Sequence, residues 1–157
     1  MQFINYLLAS IISYLGIALG IALIYIAPEE QKTGMKYFSF LKYIFFTLTV
    51  FFLLFFNYSN ILLILSLIIF LIIFIVLNKK SKVSDINKSL IIYSILAAIF
   101  YLSSKNNNLF IIESSLIFLY GTANASFLTK IKKKNHLEIL SKHSLFIIIA
   151  LILFLLF

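Results

Sequence analysis

Apolar runs long enough to cross a lipid bilayer follow one another along almost the whole of this chain. The first, residues 3–27, has Asn5, Ser10 and Ser13 as its only strongly polar side chains. A spanning helix needs about 20 mostly apolar residues. Of the 157 residues, 63% are hydrophobic and 11% are charged, whereas soluble domains are about 45–50% apolar. This excludes a soluble globular protein, a disordered chain and a nucleic-acid-binding domain.

Turn-forming and basic segments divide the apolar sequence into six predicted spans. A block over residues 43–77 would reach about 52 Å as one helix, and the tetrapeptide Asn-Tyr-Ser-Asn at residues 57–60 interrupts it with turn-favouring side chains. The predicted spans cover residues 3–27, 38–56, 61–77, 89–104, 109–129 and 140–157. We therefore predict an all-α fold, in which a single integral membrane domain forms a polytopic bundle of six transmembrane helices.

The placement of lysines predicts the orientation of this bundle. With six spans, twelve of the 13 lysines lie in or beside the odd-numbered connectors, and Lys105 is on the opposite face. An excess of lysine marks the cytoplasmic side of a membrane protein. Both termini are therefore predicted to be outside, with the chain in the cell (plasma) membrane. A re-entrant pair made by the fourth and fifth segments would change only the position of Lys105.

The fifth predicted span is the most polar, and it predicts an ion or substrate path. An ionisable group inside a span is a functional candidate by default, and Glu113 is such a group, with Thr122 and Asn124 further along. In this interpretation Glu113 faces the bundle interior as a protonatable or cation-binding group. Alternatively, Glu113 lies close enough to the helix start to reach the interface, and Asn124 serves only for hydrogen bonding between helices.

Small side chains on the first span predict a helix-packing face. Gly16 and Gly20 are four residues apart, and Ser13 extends the same face. Such spacing lets two helices approach closely in lipid. The face can pack against another helix of the same chain or form the contact of a homodimer.

The last connector predicts contact with anionic lipid headgroups. Its lysines are interleaved with apolar residues, as in an interfacial segment, and each contributes about 1 kcal/mol near a charged surface. The lysines concerned are Lys130, Lys132, Lys133 and Lys134. His136, Glu138 and His143 follow, but they are too few and too widely spaced for a zinc site. No metal site and no cofactor is predicted.

Three functions are compatible with these residues. The first is a small transporter or channel-like carrier whose polar path runs along the fifth span. The second is a non-catalytic scaffold or a subunit of a larger membrane complex. The third is a membrane enzyme, which would need Glu113, His136 or Glu138 to be indispensable. The polarity of the fifth span favours the carrier, because simple anchoring requires no polar groups there.

Overall fold

The structure, a computed structural model, describes residues 2–27, 29, 31–57, 72, 85–131 and 136–156, and nearly all of these residues are helical. The helices are α1 (Phe3–Ile26), α2 (Gln31–Phe56), α3 (Asp85–Ser103), α4 (Asn107–Ile131), α5 (His136–His143) and α6 (Leu145–Leu156). These residues contain no strand, which confirms the prediction of an all-α fold.

Within the described residues, five helical segments are long and apolar enough to cross a membrane. They are Phe3–Ile26, Gly34–Phe56, Asp85–Ser103, Asn107–Thr129 and His136–Leu156. They correspond to the first, second, fourth, fifth and sixth predicted spans. The third predicted span, residues 61–77, lies outside the described residues. The fourth and fifth spans, α3 and α4, are unbroken helices of spanning length.

Apart from α1, the helices begin earlier than the apolar runs that predicted them. α2 begins at Gln31, inside the predicted connector, and α3 begins at Asp85 rather than Ser89. A hydropathy pattern marks the part of a helix that lies in lipid, but the helical backbone satisfies its own hydrogen bonds in water too. Asp85 in the first turn of α3 also favours the helix start, because a negative charge there meets the positive end of the helix dipole.

α1 and α4 run parallel to each other and pack closely. The Ser13 hydroxyl donates to the Ser114 carbonyl at 3.1 Å, and the Ser126 hydroxyl donates to the Gly20 carbonyl at 2.9 Å. A Cβ atom added to Gly16 would overlap the backbone carbonyl of Phe118. The small-residue face of α1 is therefore covered by α4 of the same chain.

α2 and α3 both run antiparallel to α4. On α2, the ammonium of Lys42 lies over the ring of Phe127, 3.8 Å from its centroid, and the later Phe46 lies near the earlier Tyr120. On α3, Ser89 meets Asn124, and near the other end of the helix Phe100 contacts Phe110. α2 and α3 thus point in the same direction, so the end of α2 and the start of α3 lie at opposite ends of the bundle.

The segment formed by α5 and α6 returns along α1. The Tyr14 hydroxyl donates to the Leu140 carbonyl at 2.7 Å, and the Tyr6 hydroxyl donates to the Ala150 carbonyl at 3.0 Å. The ring of Phe154 stacks on Tyr6 with centroids 4.3 Å apart. The beginning of α1 and the end of α6 therefore share one end of the bundle, the terminal end. The opposite end, which holds Lys42 and Lys88, is the basic end.

The outer surface of the bundle carries many large apolar side chains. Phe40, Phe55 and Leu155 are more than 60% exposed, and similar side chains surround the bundle on α1, α2 and α6. Soluble monomers rarely expose contiguous apolar patches larger than a few hundred Å². The apolar helices and this apolar surface are those of a membrane protein.

Candidate functional site

Four buried side chains of α4 form one face that points into the bundle. Glu113, Ile117, Tyr120 and Asn124 follow each other at intervals of three or four residues, which places them on the same side of the helix. The Tyr120 ring lies near Phe46 of α2, at 6.4 Å between centroids. These four residues are called the inner face of α4.

Glu113 occupies the half of the inner face that is nearer the terminal end. Its side chain is completely buried, and neither carboxyl oxygen has a hydrogen-bond partner among the described residues. The structure thus places the Glu113 side chain in the bundle interior. An ionised carboxylate buried without a partner costs several kcal/mol. Protonation of the carboxyl removes this cost.

Two buried tyrosine hydroxyls lie between Glu113 and the basic end. The rings of Tyr93 on α3 and Tyr120 on α4 meet edge to face, with centroids 5.4 Å apart. Neither hydroxyl forms a well-oriented hydrogen bond within the described chain, although Asn124 lies beside the hydroxyl of Tyr93. Tyr120 is seven residues from Glu113, about 10 Å along the helix axis. The inner face therefore carries polar atoms at successive levels of the bundle.

A hydrogen-bonded chain links α4, α3 and α5 beyond the tyrosines. Nδ2 of Asn124 donates to Oγ of Ser89 at 2.7 Å, and Ser89 Oγ lies 2.7 Å from Nε2 of His143. Nδ1 of His143 lies 2.7 Å from the Ile139 carbonyl oxygen. A carbonyl only accepts, so Nδ1 carries the proton, and in the neutral ring Nε2 accepts from the Ser89 hydroxyl.

A cavity of about 160 Å³ opens beside this chain at the basic end. Its polar lining comes from α2, α3 and α4. The aromatic ring of Phe127 completes one wall, and the polar side chains are Lys42, Tyr43, Asp85, Lys88, Ser89, Tyr120 and Asn124. The cavity thus joins the charged groups of Lys42, Asp85 and Lys88 to the buried Ser89 and Asn124, and Ser89 in turn contacts the buried His143.

Thr122 is not part of the inner face. Its hydroxyl donates to the Phe118 carbonyl of its own helix at 2.9 Å. Its backbone carbonyl would be overlapped by a Cβ atom on Gly20. The structure therefore brings Glu113 and Asn124 onto one face and places Thr122 on the side that packs against α1.

The remaining predicted site residues have separate locations. Ser13, Gly16 and Gly20 lie in the contact between α1 and α4. His136 packs edge to face against Tyr25, with centroids 5.3 Å apart, and does not join His143. The predicted lipid contacts of Lys130, Lys132, Lys133 and Lys134 fall outside the residues whose side chains the structure describes.

Sequence reasoning did not identify Ser89, His143 or the charged cavity residues as parts of one site. Ser89 was only the first residue of a predicted span, and His143 was considered only together with His136. One signal was present, because His143 begins a long apolar run and a histidine there must find partners when it is buried. Nothing in the sequence pairs it with Ser89, 54 residues earlier.

Comparison of the chain with protein-family models, with curated proteins and with solved structures gives no match.

Proposed function

We propose that this protein is a small carrier in the cell membrane, in which a polar path along the inner face of α4 moves protons, alone or with a solute. Glu113 is the ionisable group of the path. Asn124, Ser89 and His143 connect the path to the cavity at the basic end. The observation that carries the proposal is Glu113, a completely buried carboxyl without a partner among the described residues.

The proposed topology has six spans with both termini outside. The shared location of Phe3 and Phe154, whose rings are 5.9 Å apart, supports an even number of spans. The parallel course of α2 and α3 supports one crossing between them, as expected for residues 61–77. The positive-inside rule supports a cytoplasmic location for the basic end. Anionic lipid headgroups are proposed to contact Lys130, Lys132, Lys133 and Lys134 there.

A proton-flux assay tests the role of Glu113. Purified protein is reconstituted into liposomes that contain a pH-sensitive dye, and a potassium gradient with valinomycin drives protons inward. The wild-type protein is expected to acidify the lumen faster than empty liposomes. Glu113→Gln keeps the size of the side chain but cannot release a proton, so its rate is expected to equal that of empty liposomes.

Glu138→Gln provides the matched control. Glu138 pairs with Lys142 at 2.8 Å on an exposed face of α5, outside the proposed path. Its substitution is expected to leave the flux at the wild-type rate. Equal fluxes for the wild type and Glu113→Gln, with both proteins inserted, would refute the proposed path.

The alternative function is a non-catalytic subunit that anchors a partner or forms a homodimer. The Gly16 and Gly20 face is already covered by α4, so such a contact would have to use the exposed apolar side chains of the bundle. This alternative predicts that a second membrane protein, or a second copy, co-purifies with the chain in mild detergent. It also predicts no proton flux from the isolated protein.

A further inference from the structure

We propose that the cavity at the basic end binds a small oxyanion, a carboxylate or a phosphate-type group, together with a proton that is held on His143. This inference rests on the proposed carrier function, for which it names the class of solute. Its basis is the combination of two lysines in the cavity wall with a serine that connects the cavity to a buried imidazole.

The cavity presents an excess of positive charge. Lys42 and Lys88 reach it from two different helices, while Asp85 is its one acidic lining residue. Neither lysine forms an ion pair within 4.0 Å with an acidic group of the described chain. The Phe127 ring fixes the position of the Lys42 ammonium. Two such ammonium groups favour an anion with oxygen acceptors.

The size of the cavity suits a compact anion. A water molecule occupies about 30 Å³ in the liquid, so a cavity of about 160 Å³ accommodates a phosphate or acetate ion with some of its water. Ser89 and Asn124 form the inner part of the wall, and each is at least 96% buried. An anion in the cavity can therefore reach a hydroxyl group as well as the two ammonium groups.

The hydrogen-bond chain couples this anion to a proton. In the neutral state, the one hydrogen of the Ser89 hydroxyl is donated to Nε2 of His143. When Nε2 is protonated, it donates to Ser89 Oγ instead, and the hydroxyl hydrogen needs another acceptor. Nδ2 of Asn124 is a donor and cannot accept it. The hydroxyl can then turn toward the cavity, where an oxyanion accepts its hydrogen.

The side chains around His143 do not balance the positive charge of a protonated ring, so in this proposal the bound anion balances it. The polar side chains that contact the ring or lie beside its partners are Ser89 and Tyr93 on α3, Tyr120 and Asn124 on α4, Tyr14 on α1 and Lys142 on α5. Among these described groups there is no carboxylate. A bound oxyanion therefore favours the imidazolium, and by reciprocity the imidazolium favours the oxyanion.

Calorimetric titration tests the binding site. The full-length protein in phosphatidylcholine nanodiscs is titrated with sodium sulfate and with sodium acetate, which both keep their charge between pH 6 and pH 8. The wild-type protein is expected to bind at least one of them. Lys88→Met is expected to weaken this binding about fivefold to tenfold. Lys105→Met, which removes a lysine at the terminal end, is the matched control and leaves the affinity unchanged.

The linked proton is measured by repeating the titration in two buffers of different ionisation enthalpy. At pH 7.5 the wild-type protein is expected to take up about one proton per anion. His143→Gln is expected to abolish this uptake, because glutamine accepts the Ser89 hydrogen bond without titrating. Ser89→Ala keeps the imidazole but removes the link, and it is expected to reduce both the uptake and the affinity. The thermal unfolding midpoint of each variant verifies its fold.

A lipid arm distinguishes the two sources of the anion. In nanodiscs that contain phosphatidylglycerol, competition by the lipid would assign the cavity to a headgroup, while unchanged sulfate or acetate binding would assign it to a soluble anion. Absence of binding in phosphatidylcholine nanodiscs would overturn the proposal, as would equal affinities of Lys88→Met and Lys105→Met. Wild-type proton uptake in both His143→Gln and Ser89→Ala would overturn its proton link.

The binding and flux experiments fail independently. Equilibrium binding reports on the cavity whether or not protons cross the membrane. Proton flux that depends on Glu113 without any anion binding would refute the oxyanion site and leave the proposed carrier function standing. Anion binding without proton flux would refute the proposed carrier function and leave the oxyanion site standing.

Discussion

Replacing Gly16 with alanine tests how closely α1 and α4 must approach each other. An added Cβ would overlap the backbone carbonyl of Phe118, which belongs to a helix and cannot rotate aside. Overpacking of this kind costs about 1–3 kcal/mol. Separation of the helices would also weaken the bonds from Ser13 to Ser114 and from Ser126 to Gly20, at about 0.6 kcal/mol each.

The greater helix propensity of alanine offsets part of this cost, by about 0.5–1 kcal/mol. The net destabilisation is then about 1–3 kcal/mol. For a chain of this size each kcal/mol lowers the unfolding midpoint by about 2–4 °C, so the expected loss is about 2–12 °C. The assay is the fraction of monodisperse protein that remains in detergent after heating.

Gly34→Ala is the matched control for this substitution. A Cβ on Gly34 meets only the Phe38 ring, at 3.1 Å, and this flexible side chain can move away. The control is therefore expected to unfold at the wild-type temperature or slightly above it. If Gly16→Ala proved as stable as Gly34→Ala, the close contact of α1 with α4 would be refuted. A changed oligomeric state at unchanged stability would instead indicate a homodimer contact through this face.

Two further predictions concern topology and packing. The chain has no cysteine, so single cysteines can report the topology. Gln2→Cys and Lys105→Cys are expected to react with an impermeant maleimide on intact cells, and Lys36→Cys only after permeabilisation. The opposite labelling pattern would show that the topology is inverted. Tyr14→Phe removes the hydroxyl that donates to the Leu140 carbonyl at 2.7 Å and is expected to cost about 0.5–1.5 kcal/mol in thermal unfolding. The exposed Tyr25→Phe should cost nothing, and equal effects of the two substitutions would refute the interhelical bond.

The span pattern was accessible from the sequence because the lipid core imposes a one-dimensional requirement. A helix that crosses it needs a continuous run of apolar residues, and five such helices appear in the described chain where runs were predicted. Glu113 and Asn124 could be selected for a similar reason, since polar groups are exceptional in an apolar run. The helix starts at Gln31 and Asp85 were not accessible, because polar residues outside the lipid carry no comparable constraint.

The helix-packing face on α1 was predicted in part. The spacing of Gly16 and Gly20 indicated a close helix contact, but it could not identify the partner. The structure supplies it, because Phe118 and Thr122 of α4 lie against these two glycines. The same contact places the Thr122 hydroxyl away from Glu113, although the two residues are only nine positions apart.

The sequence by itself determined the class of protein, the placement of its apolar helices and the expected sidedness of its lysines. Only the tertiary structure decided that Ser89, Asn124 and His143 meet, and that Lys42 and Lys88 share a cavity with two of them. The physical reason for this division is that lipid, rather than water, surrounds the helices. Lipid and protein core are both apolar, so a membrane helix lacks the alternation of polar and apolar sides that reveals the buried face of a soluble helix. Its rotation and its neighbours follow from side-chain packing.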